Sequence, residues 1–275
     1  MLFVWLFTGG VYMHFTKMHG LGNDYLYFYG ELNNPQYWSI KLSDRHFGIG
    51  SDGIITISHS DIADFKMRIF NADGSEALMC GNGIRCVGKY VYEKGYTDKK
   101  QLAIETLSGI KYLTLKTDDD KVKEVTVNMG KCAVYNPTVL HISYGDVKVT
   151  PVNMGNPHAV TFVEKAEKAP LLTYGKEIEH NSYFKDGVNA EFVEIINRNT
   201  IKMRVWERGS GVTMACGTGA CASVAASIKS GFCDKNSDVK VCLDGGDLIV
   251  KILPDNTVMM TGPAKIVCEC EVEEQ

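Results

Sequence analysis

Two kinds of apolar patterning follow each other along this chain, and the succession occurs twice. Short β-rich runs at Met67-Arg68-Ile69-Phe70 and at Lys202 to Trp206 each lead into a glycine-rich turn. A helical stretch follows each turn, at Gly83 to Lys94 and at Gly219 to Ser230. Val87, Tyr90 and Val91 in the first, and Ala222, Val224, Ala225 and Ala226 in the second, make these helices apolar enough to be buried. Gly95 and Gly231 stand where a left-handed C-cap would end each helix. Hairpin-like strands come next: Ala103 to Thr106, Ile110 to Leu115 and Lys123 to Asn128, then Val239 to Leu243, Asp247 to Leu253 and Val258 to Thr261. Strands dominate, with one long helix per unit. The expected fold class is α/β (α+β): two pseudo-symmetric domains, each a curved sheet wrapped around a central helix.

The repeat is legible residue by residue. Cys80 and Cys216 are 136 apart (216 − 80), and the same shift lays Met67-Arg68-Ile69-Phe70 on Met203-Arg204-Val205-Trp206, Gly83 on Gly219, and Ser108-Gly109 on Asp244-Gly245. At a slightly smaller offset Gly22-Asn23 falls on Gly155-Asn156, and Gly130 on Gly262. A solenoid would repeat every ~20–50 residues, so a period this long signals a duplicated domain. The repeating units run from about His14 to Gly130 and from Thr150 to Gly262, with Asn136-Pro137 marking a turn between them. The expected division is an apolar extension at 1–12, a first domain over 13–130 carrying Cys80, and a second over 131–263 carrying Cys216.

Composition narrows the classes of function. With 275 residues, 45% hydrophobic and 23% charged, the chain has the length and balance of a two-domain soluble protein. Its net charge of −4, with no basic run interleaved with aromatics, argues against a nucleic-acid partner. Asp118-Asp119-Asp120 beside Lys121 reads as a turn. Nine cysteines, an odd number in a chain too large to need staples, indicate a reduced, cytoplasmic protein. Met1 to Tyr12 hold no Lys or Arg and no small-residue cleavage site, and fall short of the ~20 residues of a membrane span. They read as dispensable, with Met13 a second candidate start and no membrane partner expected. Cys268 and Cys270, two apart in a strand, share a face; half-buried strand cysteines are the reading, ahead of a zinc site.

The informative chemistry lies in Met79-Cys80-Gly81-Asn82-Gly83 and Ala215-Cys216-Gly217-Thr218-Gly219. A thiol just before a helix faces unpaired N–H groups and the positive end of the helix dipole, which stabilise thiolate and lower its pKa. Glycines let the backbone approach a ligand, and the same N–H groups can cradle a carboxylate. One cysteine in such a setting is more often a packing residue. Two in equivalent settings point to chemistry that needs the same group twice. Inverting a stereocentre beside a carboxylate is such a chemistry, because one base takes a proton from one face while an acid returns one to the other. Cys86 and Cys221 recur too, but inside the helices, as core residues.

These residues resemble the diaminopimelate epimerase family. Its first cysteine signature is matched by Asn71-Ala72-Asp73-Gly74-Ser75-Glu76-Ala77-Leu78-Met79-Cys80-Gly81-Asn82-Gly83-Ile84-Arg85-Cys86. The second is matched by Trp206-Glu207-Arg208-Gly209-Ser210-Gly211 and Ala215-Cys216-Gly217-Thr218-Gly219-Ala220-Cys221-Ala222. Lys17-Met18-His19-Gly20-Leu21-Gly22-Asn23-Asp24-Tyr25 and Met154-Gly155-Asn156-Pro157-His158 also resemble family segments. The resemblance implies an isomerase that interconverts LL- and meso-2,6-diaminopimelate without a cofactor or metal, in lysine and peptidoglycan precursor synthesis. It implies Cys80 and Cys216 as the acid/base pair, with His158 and Glu207 supporting proton transfer. Implied substrate contacts are Asn23, Asn71, Gly81, Asn82, Asn156, Asn189, Glu207, Arg208, Gly217 and Thr218. It further implies two similar domains closing over a cleft, a C-terminal strand (264–275) returning to the first domain, and a homodimer.

The residues themselves are compatible with these roles. Asn offers donors and an acceptor, Arg208 suits a carboxylate and Glu207 an ammonium. Asn23, Asn156 and Asn189 also suit turns, lying near Gly or Pro, and His158 after Pro157 could simply close a loop. One position departs from the pattern: some family members carry Gln where Gly53 stands. That side-chain contact is not carried over. A two-cysteine racemase of proline or histidine type, a thiol redox or metal-binding module, and a non-catalytic duplicate are the competing readings. The dense Asn/Glu/Arg set favours a substrate with a second amino acid centre.

Overall fold

The computed structural model describes residues 12–273. The extension expected to be dispensable therefore lies outside the described residues, except Tyr12, which begins the first strand and pairs with Glu273. Residues 274–275, the end of the expected returning strand, also lie outside.

The first half runs β1 (Tyr12–Gly20), β2 (Asn23–Tyr29), α1 (Pro35–Ser43), β3 (Gly53–Ser58), β4 (Phe65–Asn71), β5 (Glu76–Ala77), α2 (Gly81–Glu93), β6 (Gln101–Thr106), β7 (Gly109–Asp118), β8 (Lys121–Lys131) and β9 (Ala133–Val134). The second runs β10 (Thr138–Ile142), β11 (Gly145–Asn153), β12 (Pro157–Phe162), α3 (Lys176–Glu179), β13 (Asn189–Asn197), β14 (Thr200–Glu207), β15 (Gly211–Val212), α4 (Gly217–Lys229), β16 (Asp238–Leu243), β17 (Gly246–Ile252) and β18 (Thr257–Gly262). β19 (Lys265–Glu273) closes the described chain.

The pairing scheme repeats. In the first half β1–β2 and β3–β4 are antiparallel, β2–β3 and β4–β6 parallel, and β6–β7–β8 an antiparallel meander. In the second, β11–β12, β12–β13, β13–β14, β14–β16 and β16–β17–β18 follow the same order with the same senses. The halves join where β8 pairs with β18, and there the hydroxyls of Thr126 and Thr261 meet at 2.7 Å. Two strands cross between halves: β9 pairs with β11, and β19 pairs with β1.

Register makes the equivalence exact enough to correct the sequence alignment. Glu191 opposes Val205 as Ile55 opposes Ile69, so Ile55 and Glu191 are counterparts. Gly109 and Gly246 each begin the second strand of their hairpin, so Ser108-Gly109 aligns with Gly245-Gly246, one residue beyond the Asp244-Gly245 expected. The reason is a residue's difference in length between the segments joining each helix to its hairpin.

Each half of the continuous 19-stranded sheet wraps its helix. α2 packs on β1, β2, β7 and β8, and α4 on β11, β12, β13 and β17. Val87, Val91, Ala222 and Val224 are fully buried, as their apolar character requires. Both helices begin two residues earlier than expected, because each cysteine is itself the N-cap. Gly95 (φ 77°) and Gly231 (φ 76°) adopt the left-handed conformation after each helix. Among the described residues no helix is long and apolar enough to cross a membrane.

Candidate active site

The N-termini of α2 and α4 meet head to head. A β-carbon on Gly217 would lie 3.6 Å from the Cα of Gly81, and Met260 packs over both glycines. Cys80 and Cys216 cap these helices from an extended conformation (φ −135°, ψ 116° and φ −112°, ψ 111°). Each sulfur accepts an N–H at 3.3 Å, from Gly83 and Gly219 respectively. The two thiols thus sit in matching cradles on the two sides of one cavity of about 740 Å³.

Ends of strands supply the rest of the wall. Asn23 opens β2, Asn71 closes β4, Asn156 precedes β12 and Glu207 closes β14. These four line the cavity together with Cys80, Gly81, Asn82, Cys216, Gly217 and Thr218. Asn82 crosses to the other half, donating to the Ala215 carbonyl at 3.0 Å. Asn23 Oδ1 stands 3.3 Å from the Cys80 sulfur, where a thiol can donate to it. Thr218 Oγ1 is 3.6 Å from the Cys216 sulfur, and Asn156 donates to that hydroxyl at 3.4 Å.

Three expected site residues lie outside this lining. His158 is fully buried behind it, with Nδ1 2.6 Å from Glu191 Oε1 and Nε2 3.1 Å from Asn156 Oδ1. Asn189 is buried, donating to the Pro157 carbonyl and accepting the Arg208 N–H at 2.9 Å. The exposed Arg208 side chain turns away, donating to the Asp186 carbonyl at 3.0 Å.

Sequence reasoning missed Arg45 and Asp52, which line the cavity beside Asn23. Asp52 accepts from the Asn23 side-chain amide at 2.9 Å and from Arg45 at 3.0 Å, and so fixes which way Asn23 points. It also missed Glu191, whose signal was a charge between Ala190 and Phe192 in a largely apolar strand that carries one other, Glu194. Gly53, where the resemblance raised a Gln, leaves no room for a side chain: at φ 154° its β-carbon would fall 2.1 Å from the Phe70 carbonyl oxygen.

The expected depression of the thiol pKa values is not what the site produces. Burial pushes Cys80 up, against the Gly83 and Asn82 N–H groups. It pushes Cys216 well above the ordinary value, with the charges of Glu207 and Glu191 adding to the rise. Desolvation outweighs the helix termini at both thiols, the half-buried Cys80 and the buried Cys216. Burial also raises Glu207, which accepts a hydrogen bond from the Thr213 hydroxyl.

The family profile described as diaminopimelate epimerase matches residues 15–135 and 150–267, the two halves in turn. The chain belongs to the diaminopimelate epimerase family. It is 50% identical over 278 residues to the diaminopimelate epimerase of Acetivibrio thermocellus, covering 95% of this chain and 99% of the relative. Identity to that of Methanococcus maripaludis is 49% over 278 residues, covering 95% and 100%. A phenazine biosynthesis protein of the PhzF family from Bacillus anthracis shares the fold at a TM-score of 0.76 and 15% identity, covering 96% of this chain and all of that one (100%). Among the described residues no group of three or more His, Cys, Asp or Glu is placed to hold a metal ion.

Proposed function

We propose that this protein interconverts LL- and meso-2,6-diaminopimelate by a two-base reaction in which Cys80 and Cys216 exchange roles. The observation that carries the reading is the pair of thiols capping two opposed helices at one cavity. Four residues of the two first turns, Gly81, Asn82, Gly217 and Thr218, offer N–H groups to the carboxylate beside the reacting carbon. Negative charge that develops on that carboxylate is thereby stabilised where it forms.

The thiolate on one side takes the Cα proton. The C–H electron pair moves into the carboxylate-stabilised carbanion, and the thiol on the other side gives its proton to the opposite face. The enzyme ends with the two protonation states exchanged, and proton exchange with solvent resets it. No pyridoxal phosphate or metal is required, because the helix N–H groups supply the acidifying charge. Glu207 pairs with an ammonium, while Asn23, Asn71 and Asn156 bind the remaining polar groups. For Arg208 to hold the distal carboxylate, its guanidinium must leave the Asp186 carbonyl. Asn189 supports it by gripping the Arg208 backbone, and His158 supports the site through Asn156.

The chain acts as the domains 13–130 and 131–263, with β9 leaving the first half to join the second domain on β11 and β19 tying the second back to the first. A homodimer in the cytoplasm completes the reading: the thiols need a reducing compartment, and β19 carries exposed Ile266 and Val267. Deuterium uptake at the α-carbon of diaminopimelate, without added cofactor, tests the reaction. A panel including proline and histidine separates it from the related racemases.

A further inference from the structure

The side chain of Arg85 is sealed from solvent (0% exposed) one turn into α2. It curls back under the helix N-terminus, as long helical side chains do. Its hydrogen bonds go to uncharged acceptors: the Gly81 carbonyl at 2.9 Å, Asn82 Oδ1 at 3.0 Å, the Pro263 carbonyl at 3.2 Å, and the Met260 sulfur at 4.0 Å. Among the described residues none of these partners is a carboxylate. A buried cation without a counter-charge is costly, so the fold would retain one where an anion comes to stand nearby.

The duplication shows how unusual this is. At the shift of 136, Arg85 corresponds to Cys221, Asn71 to Glu207 and Ile55 to Glu191. The first half therefore carries a cation where the second has none. The second carries two carboxylates where the first has an amide and an alkyl group. Asn23 on β2 stands 3.3 Å from the Cys80 sulfur, and the charged or titratable groups whose fields reach it are Tyr25 and Tyr27 on β2, Arg85 and Cys86 on α2, and Glu207 on β14. Those facing Cys216 are Glu207, Glu191 and Thr218.

We propose that Arg85 is a positioning residue whose buried charge makes Cys80, rather than Cys216, the thiol that yields its proton first and serves as base in the free enzyme. The same guanidinium, holding Gly81, Asn82 and Pro263, ties the α2 N-terminus to the segment leading into β19. Burial lowers the Arg85 pKa, and the nearby thiols oppose that shift. The inference rests on the two-thiol reading, but its test uses no substrate, so the two can fail separately.

Carbamidomethylation of each cysteine by iodoacetamide, followed by peptide mass spectrometry across pH, gives a midpoint for each thiol. The wild-type protein is expected to show a lower midpoint at Cys80 than at Cys216; the reverse order overturns the proposal. Arg85→Met is expected to raise the Cys80 midpoint and to leave Cys216 in place. Arg85→Lys, which keeps the charge but loses the fork, is expected to retain the low Cys80 midpoint. A folded Arg85→Met protein with an unmoved Cys80 midpoint overturns the proposal. So does an Arg85→Lys protein that loses the low midpoint, which decides the matter if Arg85→Met does not fold.

Discussion

Gly81 and Gly217 touch across the site, with only 3.6 Å between the Cα of Gly81 and the place a β-carbon on Gly217 would occupy. Two helices approach this closely by their N-termini because neither residue has a side chain. The contact sets the separation of the two thiols, one residue away on each side. It also gathers the N–H groups of both first turns around one point.

Gly217→Val is expected to wedge the helices apart. Overpacking of this kind costs about 1–3 kcal/mol. Misplacement of a reacting group by an ångström costs about 10²-fold in rate. The variant should remain folded by circular dichroism, with kcat reduced by about that factor. Full activity would mean that the glycine contact does not set the geometry.

Glu207→Gln keeps an acceptor for the Thr213 hydroxyl and removes a charge facing Cys216. The Cys216 alkylation midpoint is expected to fall, since less negative charge opposes thiolate. The Cys80 midpoint should fall less, because Glu207 ranks behind burial and the backbone N–H groups there. Activity is expected to drop by about 10²-fold, the low end for a positioned proton-transfer group.

Alkaline pH should destabilise the fold. Burial raises Cys86 to about 11 and Cys221 to about 12. An unfolded thiol ionises near 8.5 or so. Between those values the folded state binds more protons than the unfolded one, so stability falls as pH rises. Below the unfolded value the contribution is fully present. Melting temperature measured from pH 7 to 11 should decline above about 8.5. Cys86→Ala/Cys221→Ala should flatten that decline while lowering the plateau.

Much of this site is legible in the sequence. Cys80, Cys216 and the glycines beside them follow from a local rule, since a helix start reads off a few residues and the duplication identifies the pair. The two central helices followed from their apolar faces. What stayed hidden was set by strands far apart in sequence. Asp52 meets Asn23 only because β2 and β3 pair in parallel, and Glu191 meets His158 only through β12 and β13. The thiol pKa values went the other way because burial is a property of the whole fold, while the helix dipole is local.

Gly53→Gln is expected to lose stability. The β-carbon meets the Phe70 carbonyl and the Tyr25 ring, and backbone must move. A loss of at least about 1–3 kcal/mol in chemical denaturation is the expected result. A neutral substitution would show that the β3–β4 pairing is more pliant than its register suggests.

The central claim is that two thiols act on one carbon from opposite faces, one taking its proton and the other supplying a new one. Incubating LL-diaminopimelate with the reduced protein in D₂O, and following the α-hydrogen by NMR, tests it directly. The wild-type protein is expected to place deuterium at the inverted carbon without added cofactor. Cys80→Ala and Cys216→Ala are each expected to lose epimerisation by at least about 10²–10⁴-fold. Epimerisation at the wild-type rate in either variant would contradict the account.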